Sequence, residues 1–172
     1  MDLYEAIRCR RSVRSFRPDP IPQEVLDRVL EAARCAPSSL NLQPWRFILV
    51  KAPQIKREIV SCCPGQSFVE DAPLLIVACG LPTEGKIGGR TPSTLADVAV
   101  AMAHLSLAAA AEGLGTCWIT AFEEEPLRRA LGVPEGEQVV LISPLGYPTD
   151  KTTRAKHRKP MSEIICWERH SS

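Results

Sequence analysis

The sequence predicts a single domain of the α+β or α/β class, in which helices and strands are arranged around one central sheet. Segments in which apolar residues recur at helical spacing alternate with short, continuously apolar segments that are typical of buried strands. The 172 residues are enough for one hydrophobic core, and no internal repeat or linker divides them. We therefore expect one domain from residue 1 to residue 172.

The first half of the chain is predicted to contain three helices and two strands. Asp2 and Glu5 have the spacing of a helix-capping box, and Pro22 suits the first position of an amphipathic helix that Pro37 ends. The continuous apolar sequence PLLIVACG is typical of a strand that is buried on both faces. In chain order we expect a helix at 2–10, a helix at 22–36, a loop at 37–44, a strand at 45–50, a helix at 53–62 and a strand at 73–80.

The second half is predicted to contain a long helix, a shorter helix and two strands. The long helix is apolar almost all round and rich in alanine, so we expect it at the centre, tightly packed, with a partner chain as one candidate neighbour. Gly113 should end this helix, and Gly132 the next one. In chain order we expect a mobile loop rich in Pro, Gly and Thr at 81–93, a helix at 93–113, a strand at 116–120, a helix at 125–132 and a strand at 137–147.

The composition argues against several classes of protein. Hydrophobic residues make up 45% and charged residues 24%, which is usual for a globular protein, and no apolar run approaches the ~18 residues that cross a membrane. The chain starts with an acid at Asp2 and lacks the apolar core of a signal peptide, so we expect a cytoplasmic protein without a membrane partner. Seven cysteines without a C-x-x-C spacing and three histidines without a metal-binding spacing predict reduced thiols and no metal.

Positive charge is concentrated in two short segments. The formal net charge is +1, yet residues 8–17 hold five arginines and residues 151–159 hold five basic residues, so that ten of the 21 lysines and arginines lie there. Either the two segments are solvated basic surfaces with weak affinity for nucleic acid, or they fold onto one small polyanion. A pI of about 7.6 and 5% aromatic residues argue against a nucleic-acid module. Because the planar guanidinium suits phosphate, we favour the second interpretation.

Two nucleotide-binding motifs are incomplete. Residues 80–87 are similar to a P-loop, but Ile87 stands where a Ser or Thr must hold magnesium, and the residues after it cannot open a helix. Residues 113–116, GLGT, follow a helix and enter a strand, which reverses the order of a dinucleotide-binding turn. Neither motif predicts a nucleotide site.

Four stretches, in this order, resemble the FMN-dependent nitroreductase family, and the resemblance covers nearly the whole chain. They are RRSVRSF at 10–16, APSSLNLQPWRFILV at 36–50, GLGTCWIT at 113–120 and KHRKPMSEIICWE at 156–168. The resemblance implies an α+β fold of three α/β-type layers, with a central, mostly antiparallel sheet flanked by helices. It also implies a homodimer with flavin sites at the subunit interface. It also implies FMN as the cofactor and NADH or NADPH as the electron donor.

The same resemblance implies which residues bind the cofactor. The phosphate and ribityl chain would be held by Arg10, Arg11, Ser12 and Arg14, with Lys156 and Arg158 from the tail. The flavin of the other subunit would be contacted by Pro37, Ser38, Ser39 and Asn41. The isoalloxazine ring would be lined by Trp118, Ile119 and Thr120, with Gln66 near its pyrimidine. Structural alternatives remain open: the two serines as caps, Trp118 as a core residue and Gln66 as a solvated turn residue.

The implied activity is that of a flavoprotein oxidoreductase that reduces nitroaromatics, quinones or similar acceptors. Hydride would pass from NAD(P)H to the flavin, and then to the acceptor, in a ping-pong mechanism. No side chain is required as a general acid, and we assign none. Alternatives within the fold are a reductive dehalogenase and an oxygen-using, flavin-destroying enzyme. An alternative of another class is a flavin- or nucleic-acid-binding protein without turnover.

The sequence departs from the family in two places. A basic residue is expected near flavin N1 and O2, shortly after Gln66, but the chain has Val69, Glu70 and Asp71 there. That role passes to Arg10 or is absent. The chain also lacks the helical insertion between the strand at 74–79 and the long helix, so the residues that cover the flavin stay open.

Overall fold

The computed structural model describes residues 1–150 and 156–170. The α-helices in this part of the chain are α1 (Leu3–Cys9), α2 (Gln23–Arg34), α3 (Pro53–Ser61), α4 (Thr94–Ala111) and α5 (Glu124–Leu131). The strands are β1 (Trp45–Val50), β2 (Leu74–Gly80), β3 (Lys86–Ile87), β4 (Thr91–Pro92), β5 (Gly115–Thr116) and β6 (Gln138–Gly146). Single-turn 3-10 helices lie at Ser39–Asn41, Ser67–Val69 and Met161–Glu163.

The central sheet has four antiparallel strands in the order β1-β2-β6-β5. Every residue of β2 is buried, because strands pair with both of its edges and helices cover both of its faces. The edge strand β5 is short and pairs with the end of β6, so that Gly115 faces Gly146. A Cβ on Gly115 would lie 2.5 Å from a methyl group of Val13, so glycine is what lets the N-terminal segment cross so closely.

Two hydrophobic cores lie on the two faces of the sheet. One contains α2 and α4, with Val29 and Met102 packed near Ile76. The other contains α3 and α5, with Ile59 and Leu127 among its fully buried residues. Alternate residues of β2 belong to opposite cores, as the period of two in a strand requires. The predicted arrangement of helices on both sides of a mostly antiparallel sheet is therefore confirmed.

Helix ends follow the sequence signals. The Asp2 carboxylate accepts a hydrogen bond from the Glu5 amide at 2.8 Å and caps α1. Gly113 and Gly132 follow α4 and α5 with φ angles of 77° and 64°, in the left-handed region that glycine adopts without strain. These two predicted helix ends are confirmed.

The segment 81–93 was expected to be a mobile loop, and this is wrong in part. It contains a small antiparallel hairpin, β3–β4, in which Ile87 pairs with Thr91. Gly88 and Gly89 have φ angles of 58° and 70°, which the reversal of the chain requires. The physical reason for the difference is this Gly-Gly turn.

The predicted strand at 116–120 is also shorter than expected. β5 ends at Thr116, and an isolated bridge joins Ile119 to Ile142 in the same register. Between Thr116 and Ile119 the pairing with β6 is interrupted. This interruption lies opposite Pro144, which has no amide hydrogen to donate to a neighbouring strand.

The length of α4 corrects a third expectation. With 18 residues and a mean hydropathy of 1.5, this helix is long and apolar enough to cross a membrane by length and composition alone. The estimate that no apolar run approaches that length is therefore wrong. In the fold, α4 packs against α1, α2 and the four strands of the central sheet, as a core helix does.

Candidate functional site

The N-terminal segment 8–17, the arginine segment, lies along the β5 edge of the sheet. Ser12 forms a parallel bridge with Thr116, and Phe16 forms an antiparallel bridge with Pro148. The Val13 amide donates to the Thr116 carbonyl at 2.9 Å, and the side chains of Val13 and Phe16 are buried. The backbone is thus fixed by the sheet, while the arginine side chains stay at or near the surface.

Two adjoining cavities lie beside this segment, and together we call them the arginine groove. Their volumes are about 530 Å³ and about 480 Å³, each within the usual range for a small-molecule site. Arg10, Ser106 and Thr116 line both cavities. The first cavity extends towards Arg11 and Asp150, and the second is lined by Ile7, Ser12, Ala103, Leu107 and Trp118.

The tail returns to the arginine segment. The Lys156 ammonium donates hydrogen bonds to the carbonyl oxygens of Arg8 and Arg10, and Arg11 donates one to the Asp150 carbonyl. Loss of hydration, and then the charges of Arg10 and Arg158, lower the pKa of Lys156. The fold therefore brings cations from both basic segments to the same place, as the charge pattern predicts.

Not every member of the basic segments is placed in the groove. Arg158 is exposed, and its guanidinium donates to the His157 carbonyl at 2.9 Å. Arg17 does line the first cavity, where its guanidinium pairs with Asp19 at 2.6 Å and lies 5.6 Å from the centre of the Tyr147 ring. Lys151 and Arg154 lie outside the described residues.

Trp118 is one of the three residues predicted to line a flavin ring, and it borders the second cavity. Its indole Nε1 donates to the Ser106 hydroxyl at 2.9 Å, and Ser106 in turn donates to the Met102 carbonyl at 2.7 Å. Ser106 is buried in α4 and was missed by the sequence analysis, since a serine in an alanine-rich helix carries no signal of its own.

The other two predicted ring residues are placed differently. The Ile119 side chain is buried in the α3–α5 core, and its amide and carbonyl are both bonded to Ile142. A contact of Ile119 with a ligand in the groove is therefore not supported by its position. Thr120 is exposed but does not line either cavity.

The 37–44 loop lies at the opposite end of α4 from the groove. Its Ser39 is bonded to Asp97, nine residues before Ser106, which corresponds to about 14 Å along the helix axis. Pro37 and Asn41 are exposed, and the Ser38 hydroxyl accepts a hydrogen bond from the Gln43 amide at 2.9 Å. Within one chain, this loop and the groove are not brought together.

Gln66 is likewise not part of the groove. It precedes the 3-10 helix Ser67–Val69, in which Val69 is fully buried in the α3–α5 core. Nearby, the Lys56 ammonium donates to the carbonyls of Glu70 and Ala72 at 2.9 and 2.8 Å, and Lys56 lines neither cavity of the groove. Arg10 lines both cavities and is therefore favoured as the cation nearest to a ligand in the groove, in the role of the basic residue expected shortly after Gln66.

Comparison with known proteins identifies the family to which the chain belongs. Residues 7–63 and 60–147 match the model of the nitroreductase family. An NADH dehydrogenase of Thermus thermophilus is 30% identical over 97% of this chain and 96% of its own length. The chain therefore belongs to the nitroreductase family, and it is an oxidoreductase of that family.

Solved structures agree with this assignment. A nitroreductase family protein of Clostridium novyi NT superposes with a TM-score of 0.81 and 36% identity, covering 87% of each chain. An FMN-dependent nitroreductase of Clostridium difficile R20291 superposes with a TM-score of 0.83 and 26% identity, covering 96% of this chain and 98% of the other. A more distant relative, human iodotyrosine deiodinase 1, is 28% identical over 95% of this chain and 68% of its own length.

Proposed function

We propose that the protein is an FMN-dependent NAD(P)H oxidoreductase that reduces nitroaromatics, quinones or similar acceptors. The observation that carries the proposal is the contact of Lys156 with the carbonyls of Arg8 and Arg10, of which Arg10 lines both cavities of the groove. These contacts join residues that are 148 and 146 positions apart in the sequence. They bring the two basic segments together, where a phosphate would neutralise their charge. A cytoplasmic location, where NAD(P)H is available, is part of the proposal.

The donor set in and around the groove fits FMN. Arg10, Arg11 and Ser12 line the cavities, and Arg14 follows on the same segment. Within residues 1–150 and 156–170, the Arg14 guanidinium forms no ion pair, so its charge remains available to a ligand. Lys156 and Arg158 would add charge from the tail. A phosphate at the end of a ribityl chain is a ligand that such a cluster recognises.

The flavin would supply the transfer of two electrons from NAD(P)H to the acceptor, and the protein supplies binding and local charge. Arg10 places a positive charge beside both cavities, where it stabilises negative charge that develops on a bound ligand. Ser106 fixes the Trp118 indole at the wall of the second cavity and thereby shapes it.

A homodimer with shared sites is part of this proposal. The 37–44 loop cannot serve the groove of its own chain, so it would serve the groove of a second copy. Apolar residues that remain exposed on α1 and α4 supply a surface for that copy: Leu3, Tyr4, Ile7, Leu95 and Val100. In a two-fold dimer, one such surface covers the corresponding surface of the other subunit.

A reductive dehalogenase is the second candidate. The similarity to iodotyrosine deiodinase 1 over 95% of this chain favours it, because that relative is named for removing a halogen. The short β3–β4 hairpin is the segment of this chain in which substrate choice would differ.

The proposal is tested on the purified protein. We expect a yellow protein, or one that binds added FMN, with weaker binding of riboflavin, which lacks the phosphate. NADH and NADPH oxidation is then measured with a nitroaromatic, a quinone and an iodotyrosine as acceptors. Equal affinity for riboflavin and FMN would contradict the phosphate site. Bound flavin without NAD(P)H oxidation would indicate a binding protein, and turnover of iodotyrosine alone would indicate the dehalogenase.

A further inference from the structure

Asp97 is a buried carboxylate that the sequence pattern does not single out. It lies in the first turn of α4, with 7% of its surface exposed. Its Oδ1 accepts a hydrogen bond from the Ser39 amide at 3.0 Å, and its Oδ2 accepts one from the Ser93 hydroxyl at 2.7 Å. A buried carboxylate is tolerated where such donors satisfy it, and the N-terminal end of a helix favours negative charge.

This carboxylate joins two segments that lie outside the central sheet. Ser39 belongs to the 37–44 loop, whereas the Ser93 amide donates to the Gly85 carbonyl, at the base of the β3–β4 hairpin, at 2.9 Å. A Cβ on Gly85 would lie 2.5 Å from the Ser93 hydroxyl oxygen and 2.9 Å from the Ser39 hydroxyl oxygen. Asp97 therefore fixes the loop and the hairpin against each other at one end of α4.

The 37–44 loop needs such an anchor because its backbone is strained. Leu40, Asn41 and Gln43 have φ angles of 53°, 56° and 50°. The left-handed region is unfavourable for a residue such as leucine, because its Cβ then lies too close to the following carbonyl oxygen. Leu40 is also 77% exposed, so its own side chain does not hold this conformation. The bond from Ser39 to Asp97 ties the strained turn to α4.

We propose that Asp97 is a positioning residue of the cofactor site. By holding the Ser39 amide, it sets the shape in which the 37–44 loop meets the cofactor bound to a second copy of the chain. Asp97 does not touch the cofactor itself and acts through Ser39. The inference rests on the proposed FMN-dependent function and on the shared site.

FMN affinity separates this role from general support of α4. Asp97→Ala removes both acceptors and should weaken FMN binding about tenfold or more. Asp97→Asn keeps an acceptor for the Ser39 amide and can donate to the Ser93 hydroxyl, so it should bind FMN within about threefold of the wild type.

Thr94→Val is the matched control on the same turn of α4. It removes the hydrogen bond from the Thr94 hydroxyl to the Leu81 carbonyl, which measures 3.1 Å, and leaves the bonds of Asp97 to Ser39 and Ser93 in place. Its FMN affinity should also stay within about threefold of the wild type. Equal losses in Thr94→Val and Asp97→Ala would show that Asp97 merely supports the helix.

Hydrogen exchange of the protein without FMN gives a second readout. Asp97→Ala should speed amide exchange in residues 37–44, whereas Asp97→Asn and Thr94→Val should not. Ser39→Pro removes the same hydrogen bond from the other side, and the extended backbone of Ser38, with ψ of 160°, accepts a following proline. Combined with Asp97→Ala, it should add no more loss of FMN affinity than Ser39→Ala does, because the Ser39 hydroxyl is itself expected to contact the cofactor.

The outcomes distinguish failure of the proposed FMN-dependent function from failure of the role proposed for Asp97. If the wild type does not bind FMN, the proposed function fails and this inference fails with it. If the wild type binds FMN but Asp97→Ala binds it equally well, only the inference fails. Should Asp97→Ala not fold, Ser39→Pro tests the same bond, and wild-type FMN affinity in Ser39→Pro would overturn the inference.

Discussion

The arginine groove and the 37–44 loop are both expected to contact the cofactor, yet the chain builds them in opposite ways. In the groove, bridges to Thr116 and Pro148 hold a regular extended backbone, which leaves cationic side chains for the ligand. In the loop, side chains instead bond the backbone, as Ser38 and Asp97 do, and the backbone itself is strained.

The difference indicates two kinds of recognition. Recognition by the groove would be mainly electrostatic. The attraction of a phosphate acts from many directions, and its strength depends on the number of cations. Recognition by the loop would use its shape and its backbone groups. The position of these groups depends on how rigidly a few hydrogen bonds hold the loop. A substitution in the groove should therefore weaken binding gradually, whereas loss of the loop's anchor should affect the whole loop.

The largest effect is expected when the two regions are disabled in separate chains. Arg14→Glu reverses a charge beside the groove, and Ser39→Pro removes the loop's bond to Asp97, so each variant alone should be poor in FMN binding and turnover. In mixed dimers, one site carries both defects and the other carries neither. Random pairing should then restore up to ~25% of wild-type sites, measured as FMN bound and as NAD(P)H oxidation.

The control for this experiment is confirmation of subunit exchange by native mass spectrometry. If mixed dimers form and the mixture is no more active than the two variants measured apart, the groove and the loop do not belong to one shared site. The chain would then have to bind its cofactor within a single subunit.

A smaller, graded effect is expected within the groove. Arg14→Ala or Arg158→Ala should weaken FMN binding by about 1.5–3 kcal/mol each, the range for a hydrogen bond to a charged group. Arg57→Ala is the matched control, because Arg57 is an exposed arginine of the α3 layer whose guanidinium donates to Gln54 at 2.8 Å. Titration of the three variants with FMN checks this, and equal affinities would remove the phosphate site from the groove.

The sequence predicted the groove better than it predicted the loop, for a physical reason. Charge is visible in the residue types themselves, so five arginines in residues 8–17 and a basic tail were enough to expect that both meet one anion. The backbone conformation of a loop cannot be recognised from the residue types in the same way. The left-handed φ angles of Leu40 and Gln43 occur in a loop that is held by hydrogen bonds to Asp97 and within itself, and residue types do not reveal these bonds.

The elements of the fold show the same limit. Helix and strand positions followed from apolar periodicity, because each element buries one face or both. The β3–β4 hairpin was missed although Gly88 and Gly89 supply a turn signal, since strands of two residues have no periodicity to detect. Ser106 and Asp97 were missed because their partners, Trp118 and Ser39, are distant in sequence.

The smallest expected effect is a dependence of FMN affinity on alkaline pH that Lys156 causes. In the free protein, loss of hydration and then the charges of Arg10 and Arg158 lower the pKa of Lys156 below its usual 10.5. A phosphate dianion bound beside this ammonium would raise the pKa again. Binding is thus coupled to the uptake of a proton once the pH exceeds the lowered pKa of the free protein.

The sign of the effect follows from this change in pKa. FMN affinity should be complete below the lowered pKa of free Lys156, and it should fall as the pH rises through that value towards the pKa in the complex. Folding stability without FMN should change in the opposite direction, because the folded state disfavours the charged lysine relative to the unfolded chain.

The measurement is a series of FMN titrations between neutral and alkaline pH for the wild type, Lys156→Met and Lys159→Met. Lys159 is the control, because it is exposed and lies 3.8 Å from Glu163, away from the carbonyls that Lys156 contacts. Lys156→Met should flatten the pH profile, whereas Lys159→Met should keep it. Titration of the flavin itself is common to all three proteins and cancels in the comparison. An identical profile in the wild type and Lys156→Met would show that the tail does not meet the cofactor at this lysine.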